Sequence, residues 1–127
     1  MRTLVLVIDD SLVIRKMVSR TLQAAGLETL EANHGQHGLE LLEKDAPDLV
    51  ITDINMPVMD GLDFARELRQ RPAHAQTPVI FLTTEGETSR SEALREIGFA
   101  AWVTKPLVPA TILLAVKAAL PALQLAS

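Results

Sequence analysis

Short apolar segments recur along the chain and predict five β-strands: Thr3–Ile8, Leu27–Glu31, Leu49–Thr52, Val79–Leu82 and Ala101–Thr104. The first, third and fourth are continuously apolar and rich in β-branched residues, and they show no alternation of polar and apolar positions. Strands that are covered on both faces of a parallel sheet have this pattern.

The segments between these strands carry apolar residues at helical spacing, which predicts a helix after every strand. The predicted helices end at Gly26, before Pro47, before Pro72 and at Gly98, and the fifth begins at Pro109. Strict alternation of strand and helix indicates the α/β class. We expect a flavodoxin-like (βα)5 doubly wound sandwich, with a five-stranded parallel sheet in the order 2-1-3-4-5.

Length and composition predict one domain over residues 1–127, because 48% hydrophobic and 22% charged residues are typical of a folded domain. The net charge of −4 removes the electrostatic attraction to nucleic acid, so we expect no nucleic-acid binding by the chain itself. The absence of cysteine excludes a disulfide framework and a thiolate zinc site. Pro109, Lys117 and Pro121 interrupt the apolar C-terminal segment, so we expect no membrane span and a cytoplasmic location.

Polar side chains stand at the C-terminal ends of four predicted strands: Asp9 and Asp10, then Asp53, Thr83 and Lys105. The C-terminal ends of parallel strands meet at one edge of the sheet, so we expect these groups to converge. Three neighbouring carboxylates repel one another, and a divalent cation such as Mg²⁺ relieves that repulsion. With a lysine and a hydroxyl added, the set can stabilise phosphoryl transfer onto a carboxylate. Taken alone, each residue is better explained as part of an ordinary turn, strand end or helix cap, and only the combination favours a functional site.

Four motifs together resemble a known family: Asp9-Asp10-Ser11, the run from Asp53 to Gly61, Thr83-Thr84-Glu85, and Lys105-Pro106. The chain resembles the response-regulator receiver domains over its whole length. Within that family it is most similar to the single-domain chemotaxis regulators. The resemblance implies a signalling switch of a two-component system that catalyses only its own phosphorylation and dephosphorylation.

The same resemblance implies specific roles for the residues at the strand ends. Asp53 would accept a phosphoryl group from a histidine kinase or a histidine phosphotransfer protein. Mg²⁺ would be bound by Asp10, Asp53 and the main-chain carbonyl of Asn55, with Asp9 acting through a metal-bound water. Lys105 would pair with the acceptor and then with the phosphoryl oxygens, and its bond to the following proline is cis in relatives.

Signal output and turnover involve further positions in the family. The resemblance implies that Thr83 and Trp102 act as the switch pair, although relatives usually carry tyrosine or phenylalanine at the second position. Asn55, Thr84 and Glu85 would tune hydrolysis, and Thr84 is larger than the alanine often found there. The polar pair Asn55 and Glu85 resembles regulators that turn over quickly, so we expect a short-lived phosphorylated state.

The output surface is expected to be the face formed by helix 4, strand 5 and helix 5, with a downstream protein as its target. From Leu107 to Ser127 the only charged residue is Lys117, and more apolar side chains are present than one buried stripe needs. We therefore expect this helix to contribute a partner surface or a homodimer contact.

The three histidines are not spaced as a metal-binding pair. His34, His37 and His74 lie in polar stretches of the sequence. We expect all three to be surface residues without a chemical role.

Other functions fit less well. A hydrolase of the haloacid dehalogenase type would need a second aspartate two residues after the acceptor at the end of strand 1, where this chain has Asp9-Asp10-Ser11. A flavodoxin would need a phosphate-binding loop there, and a degenerate receiver scaffold would not keep the full acidic set. One alternative stays open: the chain is a receiver segment of a larger multidomain regulator or hybrid kinase.

Overall fold

The computed structural model of the chain describes residues 3–84 and 91–121. Its strands are β1 (Leu4–Ile8), β2 (Glu28–Ala32), β3 (Leu49–Asp53), β4 (Val79–Thr83) and β5 (Ala101–Thr104). Its helices are α1 (Leu12–Ala24), α2 (Gly35–Leu41), α3 (Gly61–Arg69), α4 (Ser91–Ile97) and α5 (Pro109–Ala119). A short 3₁₀ helix, Pro72–His74, follows α3.

The strands form one parallel sheet in the order β2-β1-β3-β4-β5. The predicted fold class and strand order are therefore confirmed. The chain passes from β1 to β2 on one side of the sheet and from β3 to β4 on the other. The loops after β1 and β3 therefore diverge and leave a crevice at the C-terminal edge of the sheet. That crevice is where the polar strand-end residues lie.

Helices cover both faces of the sheet and create two apolar cores. Val5 and Val7 of β1 belong to the core formed with α1 and α5. Leu6 and Ile8 of the same strand belong to the core formed with α2 and α3. Burial on both faces explains why the sequence of β1 is continuously apolar. Within the described ranges, none of the helices is both long and apolar enough to cross a membrane.

The connection from α1 to β2 explains why β2 begins one residue later than the sequence predicts. Gly26 has a φ of 95°, and its N–H donates to the carbonyl of Gln23 at 3.0 Å. The N–H of Leu27 donates to the carbonyl of Leu22, also at 3.0 Å. These two bonds form the helix-ending motif that needs a glycine in the left-handed region. Leu27 therefore belongs to the helix cap, and β2 begins one residue later.

His74 corrects the prediction that all three histidines are surface residues. Its side chain is buried in the 3₁₀ helix, and its Nδ1 lies 2.9 Å from Oγ1 of Thr77. Burial, with a smaller contribution from the charge of Arg71, lowers the pKa of His74. His34 and His37 are half-buried at the start of α2, where Nδ1 of His34 accepts a hydrogen bond from the N–H of His37 at 3.1 Å.

Candidate functional site

Three carboxylates converge at the C-terminal edge of the sheet. One carboxylate oxygen from each of Asp9, Asp10 and Asp53 lies within 4.8 Å of the other two. Asp9 and Asp53 are buried, whereas Asp10 is exposed. The convergence follows from the fold, because β1 and β3 are hydrogen-bonded neighbours and end side by side.

Lys105 brings a positive charge to this cluster from the end of β5. Its Nζ lies 3.2 Å from Oδ2 of Asp53 and 3.8 Å from Oδ2 of Asp9. Its backbone N–H donates to the carbonyl of Thr83 at 2.7 Å, and the bond to Pro106 is cis. The lysine is thereby anchored to the end of β4 and reaches across to the acidic groups.

The Asp53 carboxyl is buried, and its contacts with Lys105 and Ile54 offset only part of the cost of burying its negative charge. Oδ1 accepts a hydrogen bond from the N–H of Ile54 at 2.9 Å. Burial, with a smaller contribution from the nearby charge of Asp9, raises the pKa of Asp53 to about 6, although Lys105 acts in the opposite direction. An additional cation nearby would strongly stabilise the ionised form of a carboxylate in these surroundings.

Asp9 supplies the clearest indication that the cluster suits a metal ion. Its Oδ1 accepts a hydrogen bond from the N–H of Ser11 at 2.9 Å. Its Oδ2 is buried and makes no hydrogen bond with any residue in the described part of the chain. Burial raises the pKa of Asp9 as well. A buried carboxylate oxygen without a donor, beside two further carboxylates, fits a hard divalent cation such as Mg²⁺.

The loop after β3 holds the backbone next to Asp53 in place. The N–H of Gly61 donates to the carbonyl of Ile54 at 2.8 Å, and a Cβ at residue 61 would collide with the carbonyl of Asp53. Asp60 caps α3 by accepting a backbone hydrogen bond of 2.9 Å. Asn55, predicted to offer its carbonyl to the metal, lies exposed in this loop. A glycine at 61 is required by this close approach of two backbones.

The predicted switch residues lie on two neighbouring strands of the sheet, β4 and β5. Thr83 ends β4 and is nearly buried, whereas Thr84 is exposed. Trp102 of β5 stacks on Phe99, with ring centroids 5.3 Å apart, and is partly exposed. The predicted turnover residue Glu85 lies outside the described residues.

The family assignment rests on a match that covers most of the chain. The model of the response regulator receiver domain family matches residues 5–117. The chain belongs to this family. It is therefore a receiver domain of two-component signalling.

Relatives of this receiver domain include both short and long proteins. Chemotaxis protein CheY1 of Helicobacter pylori is 38% identical over 106 residues, which is 82% of this chain and 86% of the relative. The phosphate regulon regulatory protein PhoB of Pseudomonas aeruginosa is 33% identical over 116 residues, and the chain spans about half (51%) of its length. The solved structure of CheY4 from Vibrio cholerae has a TM-score of 0.90 and 38% identity, with 94% of this chain and 100% of that chain covered.

Arg15 contacts the main chain of Asp9, and the sequence analysis does not predict this contact. Its Nη1 donates to the carbonyl of Asp9 at 2.8 Å, and its Nε donates to Oε1 of Glu31 at 3.1 Å. One signal was available: Arg15 lies one turn after the helix cap Ser11, and long helical side chains lean back towards the helix N-terminus. Its two acceptors, Asp9 after β1 and Glu31 in β2, are brought to it by the tertiary fold.

Proposed function

We propose that this receiver domain is a phosphorylation-dependent switch that accepts a phosphoryl group on Asp53. The donor is the phosphohistidine of a histidine kinase or a histidine phosphotransfer protein. One observation carries the proposal: Asp53 sits in the three-carboxylate cluster with Oδ2 at 3.2 Å from Lys105 Nζ. A nucleophilic carboxylate next to a cation is the arrangement that transfer onto an aspartate requires.

The transfer is a displacement at phosphorus. A carboxylate oxygen of Asp53 forms the new O–P bond as the P–N bond of the phosphohistidine breaks, and the electron pair returns to the imidazole nitrogen. With a pKa of about 6, Asp53 is mostly ionised at neutral pH and ready to attack. Lys105 then interacts with the oxygens of the transferred group.

The acidic cluster is the proposed Mg²⁺ site. Asp10, Asp53 and the main-chain carbonyl of Asn55 are the proposed ligands, and Asp9 contributes through a water. When bound, the ion supplies positive charge that offsets the negative charge on the phosphoryl oxygens. The exposed position of Asp10 and the exposed Asn55 loop leave the site open to a partner protein.

The signal is proposed to leave the site through Thr83. A phosphoryl oxygen attracts the Thr83 hydroxyl, and Trp102 responds on the neighbouring strand. The receiving surface is the face of α4, β5 and α5, which binds a downstream protein. Val108 and Leu114 are exposed on or next to α5, so this helix also suits a homodimer contact.

Asn55, Thr84 and Glu85 are proposed to tune hydrolysis, giving a short-lived phosphorylated state. The chemistry stays on the protein's own Asp53, so the domain is a signalling protein and acts on no separate substrate. A cytoplasmic location fits this role, because the proposed phosphoryl donors are signalling proteins that the domain must reach.

Labelling with acetyl phosphate tests the proposal directly. With Mg²⁺ we expect one phosphoryl group per chain by intact-mass spectrometry, and none without Mg²⁺. Asp53→Asn should remove the label, whereas the control Asp45→Asn, at an exposed loop position, should keep it. Equal labelling of Asp53→Asn and wild type would show that the acceptor is wrong. A phosphoryl half-life of hours in Mg²⁺ would contradict rapid turnover.

A further inference from the structure

The main chain of Asp9 is held on one side by the edge strand β2 and on the other by Arg15 of α1. Its N–H donates to the carbonyl of Ala32 at 3.1 Å, and its carbonyl accepts from Nη1 of Arg15 at 2.8 Å. Arg15 in turn donates through Nε to Oε1 of Glu31 at 3.1 Å. Because Glu31 and Ala32 are consecutive in β2, these bonds form a closed ring of contacts around the Asp9 peptide.

This ring leaves the Asp9 side chain little freedom. With the main chain fixed and Oδ1 bound to the N–H of Ser11, the orientation of the carboxylate determines the position of Oδ2, which accepts no hydrogen bond from the described residues. That oxygen lies 3.8 Å from Lys105 Nζ, on the side of the acidic cluster. The contacts to Arg15 therefore bear on the cluster even though the guanidinium binds a main-chain atom.

The ion pair that holds Arg15 is largely shielded from water. The side chains of Arg15 and Glu31 are 15% and 22% exposed. Lys16 also binds Glu31, through Oε2 at 3.0 Å, but its side chain is 47% exposed. Two cationic side chains therefore pair with the Glu31 carboxylate, and Arg15 also bonds the Asp9 carbonyl. Lys16 serves as the matched control.

We propose that Arg15, oriented by Glu31, is a positioning residue for the metal site: it fixes the Asp9 carbonyl and so directs Asp9 Oδ2 into the acidic cluster. The inference rests on the proposed Mg²⁺ site. Substitution of a residue that orients a metal ligand without itself binding the metal typically lowers metal affinity by about tenfold or more. Arg15 does so here through the backbone of Asp9.

For Arg15, the loss of charge and the loss of positioning predict opposite changes in Mg²⁺ affinity. Arg15→Gln removes a positive charge near the cluster, so electrostatics alone would strengthen Mg²⁺ binding. Glu31→Gln removes a negative charge, so electrostatics alone would weaken it. A positioning role predicts weaker binding in both variants, since either change opens the ring.

Calorimetric titration with Mg²⁺, at a temperature where circular dichroism shows every variant folded, separates these cases. We expect Arg15→Gln and Glu31→Gln each to weaken binding by about tenfold, and the double variant to be no weaker than either, because the pair acts as a unit. Lys16→Gln should stay within about twofold of wild type. Arg15→Lys keeps the charge but lacks the two-pronged donor, so it should also bind weakly. Wild-type affinity in Arg15→Lys or Arg15→Gln would overturn the proposal.

A second measurement does not depend on the metal. In the metal-free protein, the amide of Ser11 donates to Asp9 Oδ1, so its hydrogen exchange reports the orientation of that carboxylate. We expect faster exchange in Arg15→Gln and Glu31→Gln than in Lys16→Gln, and equal rates would overturn the proposal. Failure of the proposed function is distinguishable: it would appear as wild-type Mg²⁺ binding that Asp10→Asn does not change. If Asp10→Asn abolishes binding and Arg15→Gln leaves it intact, the positioning role alone is wrong.

Discussion

Trp102 occupies a position from which its emission can report the state of the acidic site. The indole is 38% exposed and lies parallel to the ring of Phe99, with 6° between the planes. Thr83, on the adjacent strand β4, is 7% exposed beside the lysine that contacts Asp53. The chain has one tryptophan and no tyrosine, so the emission comes from this site.

Beryllofluoride with Mg²⁺, a mimic of the phosphoryl group, should change the emission of Trp102. The charged mimic draws the Thr83 hydroxyl towards it and leaves space that an aromatic ring can fill. We expect a partial shift, because an indole is larger than the usual phenol ring and overpacking opposes the inward state by about 1–3 kcal/mol. Thr83→Ala should reduce the change, whereas Thr104→Ala, at an exposed position paired with Thr83 in the sheet, should not. An unchanged wild-type spectrum with the mimic bound would mean that Trp102 is fixed.

Individual residues differ in how far sequence could place them. Asp9, Asp53 and Lys105 were predicted to meet, because each directly ends a strand and parallel strands end together. The burial of His74 was not predicted, since it depends on a 3₁₀ helix packing against the end of α3. The bond from Arg15 to the Asp9 carbonyl was also missed, because it joins residues on different elements. Polar side chains are thus predictable where backbone topology alone sets their position.

At the level of elements, α3 is tied to the end of α4 by one side chain. The guanidinium of Arg69 donates to four backbone carbonyls: Thr77 at 2.6 Å, Gly98 and His74 at 3.1 Å each, and Ile97 at 3.2 Å. Two of these carbonyls belong to the C-terminal end of α4, where helix carbonyls lack helical partners. Arg69 therefore holds the C-terminal end of α4, which belongs to the surface proposed to bind the downstream protein.

Arg69→Gln should lower the free energy of unfolding by about 2 kcal/mol, because it leaves several part-buried carbonyls without a donor. Arg66→Gln is the matched control on the same helix. Its guanidinium makes an exposed ion pair with Asp63 at 3.2 Å, and such a pair contributes at most about 1 kcal/mol. Urea unfolding of both variants measures the difference. Equal losses would show that the carbonyl contacts of Arg69 add nothing to stability.

The element boundaries show where sequence patterns are accurate. The ends of β1, β3 and β4 were predicted to within one residue, because continuously apolar strands contrast sharply with the polar residues that follow them. The start of the edge strand β2 differs by the same amount, because β2 begins at Glu28 and not at Leu27. The two hydrogen bonds at the end of α1, from the N–H groups of Gly26 and Leu27, set the start of β2, and the sequence pattern does not predict them.

On the scale of the whole molecule, the acidic cluster opposes folding in the absence of metal. Burial raises the pKa of Asp53 from 3.8 to about 6, and it raises the pKa of Asp9 in the same direction. Between these two pH values the folded chain retains a proton that the unfolded chain has lost. The stability of the metal-free protein should therefore fall as the pH rises through this window, and the part of the loss that comes from Asp53 is complete above about pH 6.

Asp53→Asn should consequently stabilise the metal-free protein at about pH 8, by roughly 1–3 kcal/mol, since the amide carries no charge to bury. At about pH 4 the difference should nearly vanish, because the wild-type carboxyl is then protonated. Mg²⁺ should reverse the order at high pH: it neutralises the carboxylates of the wild type, whereas the variant has lost a ligand. Urea unfolding at both pH values, with and without Mg²⁺, measures all four differences, and Asp45→Asn at an exposed position is the control. A variant less stable than wild type at about pH 8 without metal would show that the Lys105 pair already compensates the buried charge in full.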